Sequence, residues 1–165
     1  MATIDGRWTL LFSTQIDSSA SSPSDSGLAQ ALIDAIYSTF FKFAPSLAGA
    51  QSGGATSKAR NEQTVDLERG RVLNMVRIPL PVAGSSSAIV LEVHGSIATT
   101  HEAELVAVTF ERCDIFGAGG DRRLSVPLPR PVGSLRTSYC DNDLRISRGG
   151  KGGVFVLKRL RSQSS

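Results

Sequence analysis

The chain is short of the residues from which catalytic and metal sites are assembled. Its 165 residues contain two histidines, His94 and His101, and two cysteines, Cys113 and Cys140. Neither pair has metal-site spacing or sits in a recognisable triad, and no GxSxG, HExxH or phosphate-loop pattern occurs. Gly117-Ala118-Gly119-Gly120 is glycine-rich, but no helix pattern follows it to cradle a phosphate. These gaps argue against an enzyme and imply neither cofactor nor metal. With no CxxC, and each cysteine in a strand-like segment, Cys113 and Cys140 are expected to be reduced structural thiols. No apolar run reaches the roughly 18 residues of a spanning helix. Strand-like sequence begins within the first ten residues, so no targeting segment is read ahead of it.

What is present suits one domain over residues 1–165: 41% hydrophobic, 20% charged, and 16 glycines and 7 prolines marking many turns. The net charge of +3 is unevenly placed. Residues 1–120 carry 8 basic and 12 acidic side chains, whereas residues 121–165 carry 10 basic and 3 acidic. Such a basic C-terminal part suits an anionic partner, either lipid headgroups or an acidic protein face. Nucleic acid is not expected, because Tyr139 and Phe155 are the only aromatics interleaved with those charges.

Period-two alternation opens the chain. In Gly6–Thr14, Trp8, Leu10 and Phe12 share one face, and Leu11 breaks the pattern as if covered on both sides. Leu28–Phe43 reads as the one main helix, with Leu28, Leu32, Ile36, Phe40 and Phe43 in a stripe and Pro45 to stop it. Strands are expected at 61–67 and 72–78 around a Glu68–Arg71 turn, then at 88–100, 104–115, 134–140, 144–148 and 153–159. Flexible loops are expected at 17–26, 49–58 and 117–123, with a frayed tail at 161–165. The class is mainly β, and about eight meandering antiparallel strands are enough to close a barrel.

Three stretches resemble one family. Ile4-Asp5-Gly6-Arg7-Trp8-Thr9-Leu10-Leu11-Phe12-Ser13 is similar to its opening strand, and Asn61–Leu67 with Gly70-Arg71-Val72-Leu73-Asn74 to its first hairpin. The run from Gly133 through Asp141-Asn142-Asp143-Leu144-Arg145-Ile146-Ser147-Arg148-Gly149 to Val154-Phe155-Val156-Leu157 resembles its terminal signature, with Cys140 replacing a usual leucine. The family is the plastid lipid-associated (fibrillin) proteins. The resemblance implies a lipocalin-like barrel, plastid residence, and association with plastoglobules or thylakoids. Gly-x-Trp is also similar to the first lipocalin motif, which suggests Arg159 or Arg148 over Trp8.

The chain is accordingly expected to be a non-catalytic, lipid-associated plastid protein. Its partners would be small apolar lipids, such as a carotenoid, quinone or galactolipid, or the plastoglobule or thylakoid surface. The alternative is a peripheral module that docks on a thylakoid membrane protein complex. Trp8, Tyr139, Asp141, Asp143, Arg145 and Arg148 are expected to form a ligand-binding or structural cluster, with Asp141 or Asp143 as carboxylate partner for any arginine carried inward. Tyr37, Phe40, Phe41 and Phe43, with Arg136, Lys151, Lys158 and Arg161, are expected to contact membrane or partner.

Overall fold

A computed structural model describes residues 3–14, 60–80, 87–102, 104–130, 132–150 and 152–161. The helix expected over Leu28–Phe43, with Tyr37, Phe40, Phe41 and Phe43, lies outside these residues, as does Lys151.

Among the described residues, nine strands make up the regular structure: β1 (Gly6–Ser13), β2 (Arg60–Asp66), β3 (Arg71–Pro79), β4 (Ala88–Thr99), β5 (Leu105–Phe116), β6 (Arg122–Pro127), β7 (Val132–Cys140), β8 (Leu144–Gly149) and β9 (Val154–Arg159). All pairings are antiparallel and belong to one sheet. The strand order is β4-β3-β2-β1-β9-β8-β7-β5-β6, with β4 also paired to β5. Strand β5 carries that closure. One of its edges pairs with β4, while the other is shared between β7 at Leu105–Thr109 and β6 at Arg112–Phe116. Hydrogen bonding therefore passes through eight strands and returns to its start, with β6 added alongside.

The expected turn between β2 and β3 is present, and Gly70 takes the left-handed backbone it requires, at φ +61°. Strand β6 corrects the count of about eight, since it begins inside the loop expected at 117–123 and continues where no strand was expected. Five of its six residues are exposed, so no apolar alternation marks it, and Pro127 ends it. A short, exposed strand ending in proline is a usual form for a sheet edge.

Side chains on one face form the core. Trp8, Leu10, Cys140 and Leu157 pack at one end, beside Val65, Val72, Ile97, Val106 and Val108. Val93, Cys113 and Leu128 form a further cluster. A bulge in β1 corrects the expected alternation. Leu10 faces Leu157, yet Phe12 faces Val156, so Leu11 is the extra residue and Phe12 turns to the outer face. Ser13 takes the inward place and is buried, while Leu11 is 44% exposed rather than covered on both sides.

Candidate functional site

The site is built around Trp8, which is fully buried. Its indole Nε1–H donates to the Ile4 carbonyl at 2.8 Å. Two guanidinium groups lie over the ring, Arg159 at 4.1 Å and Arg145 at 4.9 Å from its centroid. Arg159, which faces Trp8 across β1 and β9, donates to the carbonyls of Asp5 at 2.6 Å and Thr3 at 2.8 Å. Gly6 makes that approach possible. Its φ is +113°, and a Cβ there would stand 2.8 Å from Arg159 Nη1.

Arg145 is the unusual member. It faces Cys140 and Leu157 in register and is 1% exposed, with no carboxylate beside it among the described residues. Its Nη2 donates to Gln63 Oε1, and the Gln63 amide donates to Asn74 Oδ1 at 2.8 Å. Nε and Nη1 have no hydrogen-bond partner. Burial lowers its pKa to about 10, with Cys140 acting against that and Arg159 adding to it. It therefore remains a cation at neutral pH. Thr137 and Ser147, whose hydroxyls lie 3.4 Å apart, are buried on the same inner face. Strands β2, β3, β7 and β8 thus carry a polar belt across an otherwise apolar interior.

The other expected cluster residues lie apart from Arg145. Asp141 organises the β7–β8 turn: its Oδ1 accepts the N–H groups of Asp143 at 2.8 Å and Leu144 at 2.6 Å. The exposed Tyr139 hydroxyl donates to Asp141 Oδ2 at 2.6 Å. That bond, with those from the two N–H groups, holds the Asp141 carboxyl below its ordinary value, and the same bond to Asp141 raises the phenol. Asp143 pairs with Arg161 at 2.7 Å. Arg148 is exposed on the outer face of β8. Arg136 pairs with Glu102 at 2.5 Å, and Lys158 is exposed on β9. Both cysteines are free and buried, and burial raises each thiol, Cys113 to about 11.

Gln63, Asn74, Thr137 and Ser147 were not among the residues expected from sequence. Their inward direction depends on strand register, and the only sequence signal is a polar residue where alternation places an apolar one.

A second polar cluster, also absent from the sequence expectations, lies on the outer face of β5. Asp114 is 3% exposed and accepts from Ser125 at 2.5 Å and Arg112 at 3.1 Å, with His94 at 3.2 Å and Arg122 at 3.9 Å. Burial alone would raise its pKa. The Ser125 bond and the charges of Arg112, His94 and Arg122 outweigh this and lower it. A depressed folded-state carboxyl stabilises the protein above its unfolded value, and this stability is lost as pH falls through the folded one. Asp114→Asn is expected to cost about 1–3 kcal/mol at neutral pH. Urea denaturation should show the gap from wild type shrinking below about pH 4.

The structure defines a mainly β protein with a buried aromatic–arginine end. The family model PAP_fibrillin matches residues 121–158, from just before β6 to the penultimate residue of β9. This meets the resemblance drawn from the terminal signature. No curated protein and no solved structure gives a significant match.

Proposed function

We propose that the strands close into a lipocalin-like barrel, and that the protein is a non-catalytic lipid-associated protein of plastid membranes. Its ligands would be small apolar lipids of the carotenoid, quinone or galactolipid kind, at the plastoglobule or thylakoid periphery. The observation that carries this reading is the asymmetry of the inner face. At the Trp8 end, Trp8, Val65, Val72 and Ile97 are no more than 5% exposed. At the other end, Ile78, Ile89 and Ile115 share that face by register but are only half-buried, and Leu124 beside Ile115 is 52% exposed. An interior packed at one end and apolar yet accessible at the other suits a guest that enters tail-first or rests at the mouth.

The outer face supports contact with a lipid surface. Phe12, Val156, Ile146 and Tyr139 follow one another in register across β1, β9, β8 and β7, with Tyr139 at 47% exposure. Exposed Lys158 and Arg148 lie on the same strands. Apolar contact and basic attraction together supply the two weak signals that peripheral attachment needs.

Mass spectrometry of lipids retained by the native protein, with liposome flotation, tests the reading. An apolar lipid near one per protein, or flotation with anionic plastid-type vesicles that salt weakens, is the expected result. Lipid-free protein that never floats, yet co-purifies with a thylakoid complex, would replace it with the docking module.

A further inference from the structure

The interior holds a cation with no carboxylate beside it among the described residues. An unpaired ion in a low-dielectric surrounding costs several kcal/mol even after relaxation, so buried charges are ordinarily paired. Arg145 is buried to 1% exposure, and its one side-chain hydrogen bond goes to a neutral amide. The two nitrogens left over, Nε and Nη1, flank Nη2, which carries two hydrogens and gives one to Gln63. The second Nη2 hydrogen, with the neighbouring Nε or Nη1, makes an edge that matches the two oxygens of a carboxylate in a bidentate pair. The second cation nearby, Arg159, is already engaged by two backbone carbonyls. Among the described residues, Arg145 leaves two guanidinium nitrogens unpartnered, against one, Nε, on Arg159.

We propose that Arg145 receives the carboxylate of a long-chain amphiphile, a free fatty acid or a lipid acid of the same chemistry, bound inside the strands. The inference rests on the lipid-binding reading above and narrows it, from apolar lipids in general to an acid with an apolar tail. One carboxylate oxygen takes the second Nη2 hydrogen and the other takes Nε or Nη1, while Gln63, held by Asn74, fixes the guanidinium through the first Nη2 hydrogen. The hydroxyls of Thr137 and Ser147 lie on the same inner face and offer further donors. The tail runs toward the end where Ile78, Ile89 and Ile115 are half-buried and Leu124 is exposed. With Arg159 held by two backbone carbonyls, one guanidinium is left to meet the head, which favours a monoanion over a phosphate dianion, whose second charge would be left unpaired.

The experiment compares cis-parinaric acid with its methyl ester, titrated by fluorescence into the full-length chain at pH 8. The two probes share a tail and differ in the anionic head. Acid binding about 10- to 100-fold tighter than ester is expected, the range of a charge-assisted bidentate contact. Arg145→Gln should abolish the preference, so that acid and ester bind with equal affinity. Equal affinity of acid and ester in the native chain would overturn the inference while leaving the lipid-binding reading standing. Absence of binding by either probe would overturn both. An acid preference that survives in Arg145→Gln would also overturn it, because another group would then be the receptor. Should circular dichroism show that Arg145→Gln does not fold, the acid–ester comparison on the native chain decides alone.

Discussion

Replacing Trp8 by alanine is expected to destabilise the protein by about 3–5 kcal/mol, the range for a large aromatic removed from a packed interior. Trp8 has no exposed surface and packs with Leu10, Cys140 and Leu157. The loss goes beyond the void. Two guanidinium groups lie over the indole, and one of them, Arg145, would then face a cavity in place of a ring. The Ile4 carbonyl would also lose its donor, loosening the segment that leads into β1. Against a domain stability of about 5–15 kcal/mol, such a loss leaves a substantial unfolded fraction. Trp8→Phe keeps a ring beneath the arginines and should lose roughly half as much or less. Trp8 is the chain's single tryptophan, so urea unfolding should be followed by far-ultraviolet circular dichroism. An alanine variant within 1 kcal/mol of wild type would show that the arginine–indole stack does not organise this end.

That end of the fold was the most legible in the sequence. Trp8 and Leu10 declare themselves by alternation, and Arg159 was one of two arginines expected over the indole from the Gly-x-Trp resemblance. The β2–β3 turn is written in Glu68-Arg69-Gly70-Arg71, since the backbone there needs a glycine. Alternation stopped being a guide at each bulge. One extra residue at Leu11 moves Phe12 out and Ser13 in, and another at Ser138 sets Tyr139 outward opposite Ile146. Glu111 does the same in β5, so that Phe110 and Cys113 both remain on the inner face. A bulge is a property of two strands in register, and a single strand's residues do not announce it.

Strand β8 was harder to read, because its polarity is reversed. Leu144 and Ile146 stand on the outer face, while Arg145 and Ser147 are buried inside. Alternation sets the two pairs on opposite faces but gives no reason to bury the polar one. That reason lies in residues far along the chain. Gln63 on β2 bonds Arg145 on β8, 82 residues away, and Asn74 on β3 orients Gln63. A polar belt assembled from distant strands becomes visible only once the pairings are known. The carboxylate anticipated beside an inward arginine is likewise used elsewhere, Asp141 in its turn and Asp143 with Arg161.

The seam between β4 and β5 returns the pairing to its start, and Gly95 is where that seam is least tolerant. Substituting alanine there is expected to cost about 1–3 kcal/mol or more, the range for forcing extra volume into a packed site. A Cβ on Gly95 would lie 2.5 Å from the Thr109 carbonyl oxygen and 3.3 Å from the Phe110 Cα, both backbone atoms that no side-chain rotation moves aside. Relief requires β5 to shift away from β4 beside the register irregularity at His94 and Gly95, where the ladder is already interrupted. The residue is buried and stands between Val72 and Phe110 on neighbouring strands, so a shift there disturbs the inner cluster of Val65, Val72, Ile97 and Val106. Gly133 on β7 supplies the contrast. A Cβ there meets nothing within 4 Å and its φ is not in the left-handed region, so Gly133→Ala should be neutral or gain about 0.4–1 kcal/mol through the unfolded chain. The two variants change the same atoms in the same kind of element, and only their surroundings differ. Urea denaturation of both, with hydrogen exchange on the β4 and β5 amides, separates the cases. In Gly95→Ala those amides should exchange faster under native conditions, because their local opening no longer requires global unfolding. Equal stability of the two variants would mean that β5 accommodates the methyl group without cost and that the seam is not the tight contact its backbone distances describe.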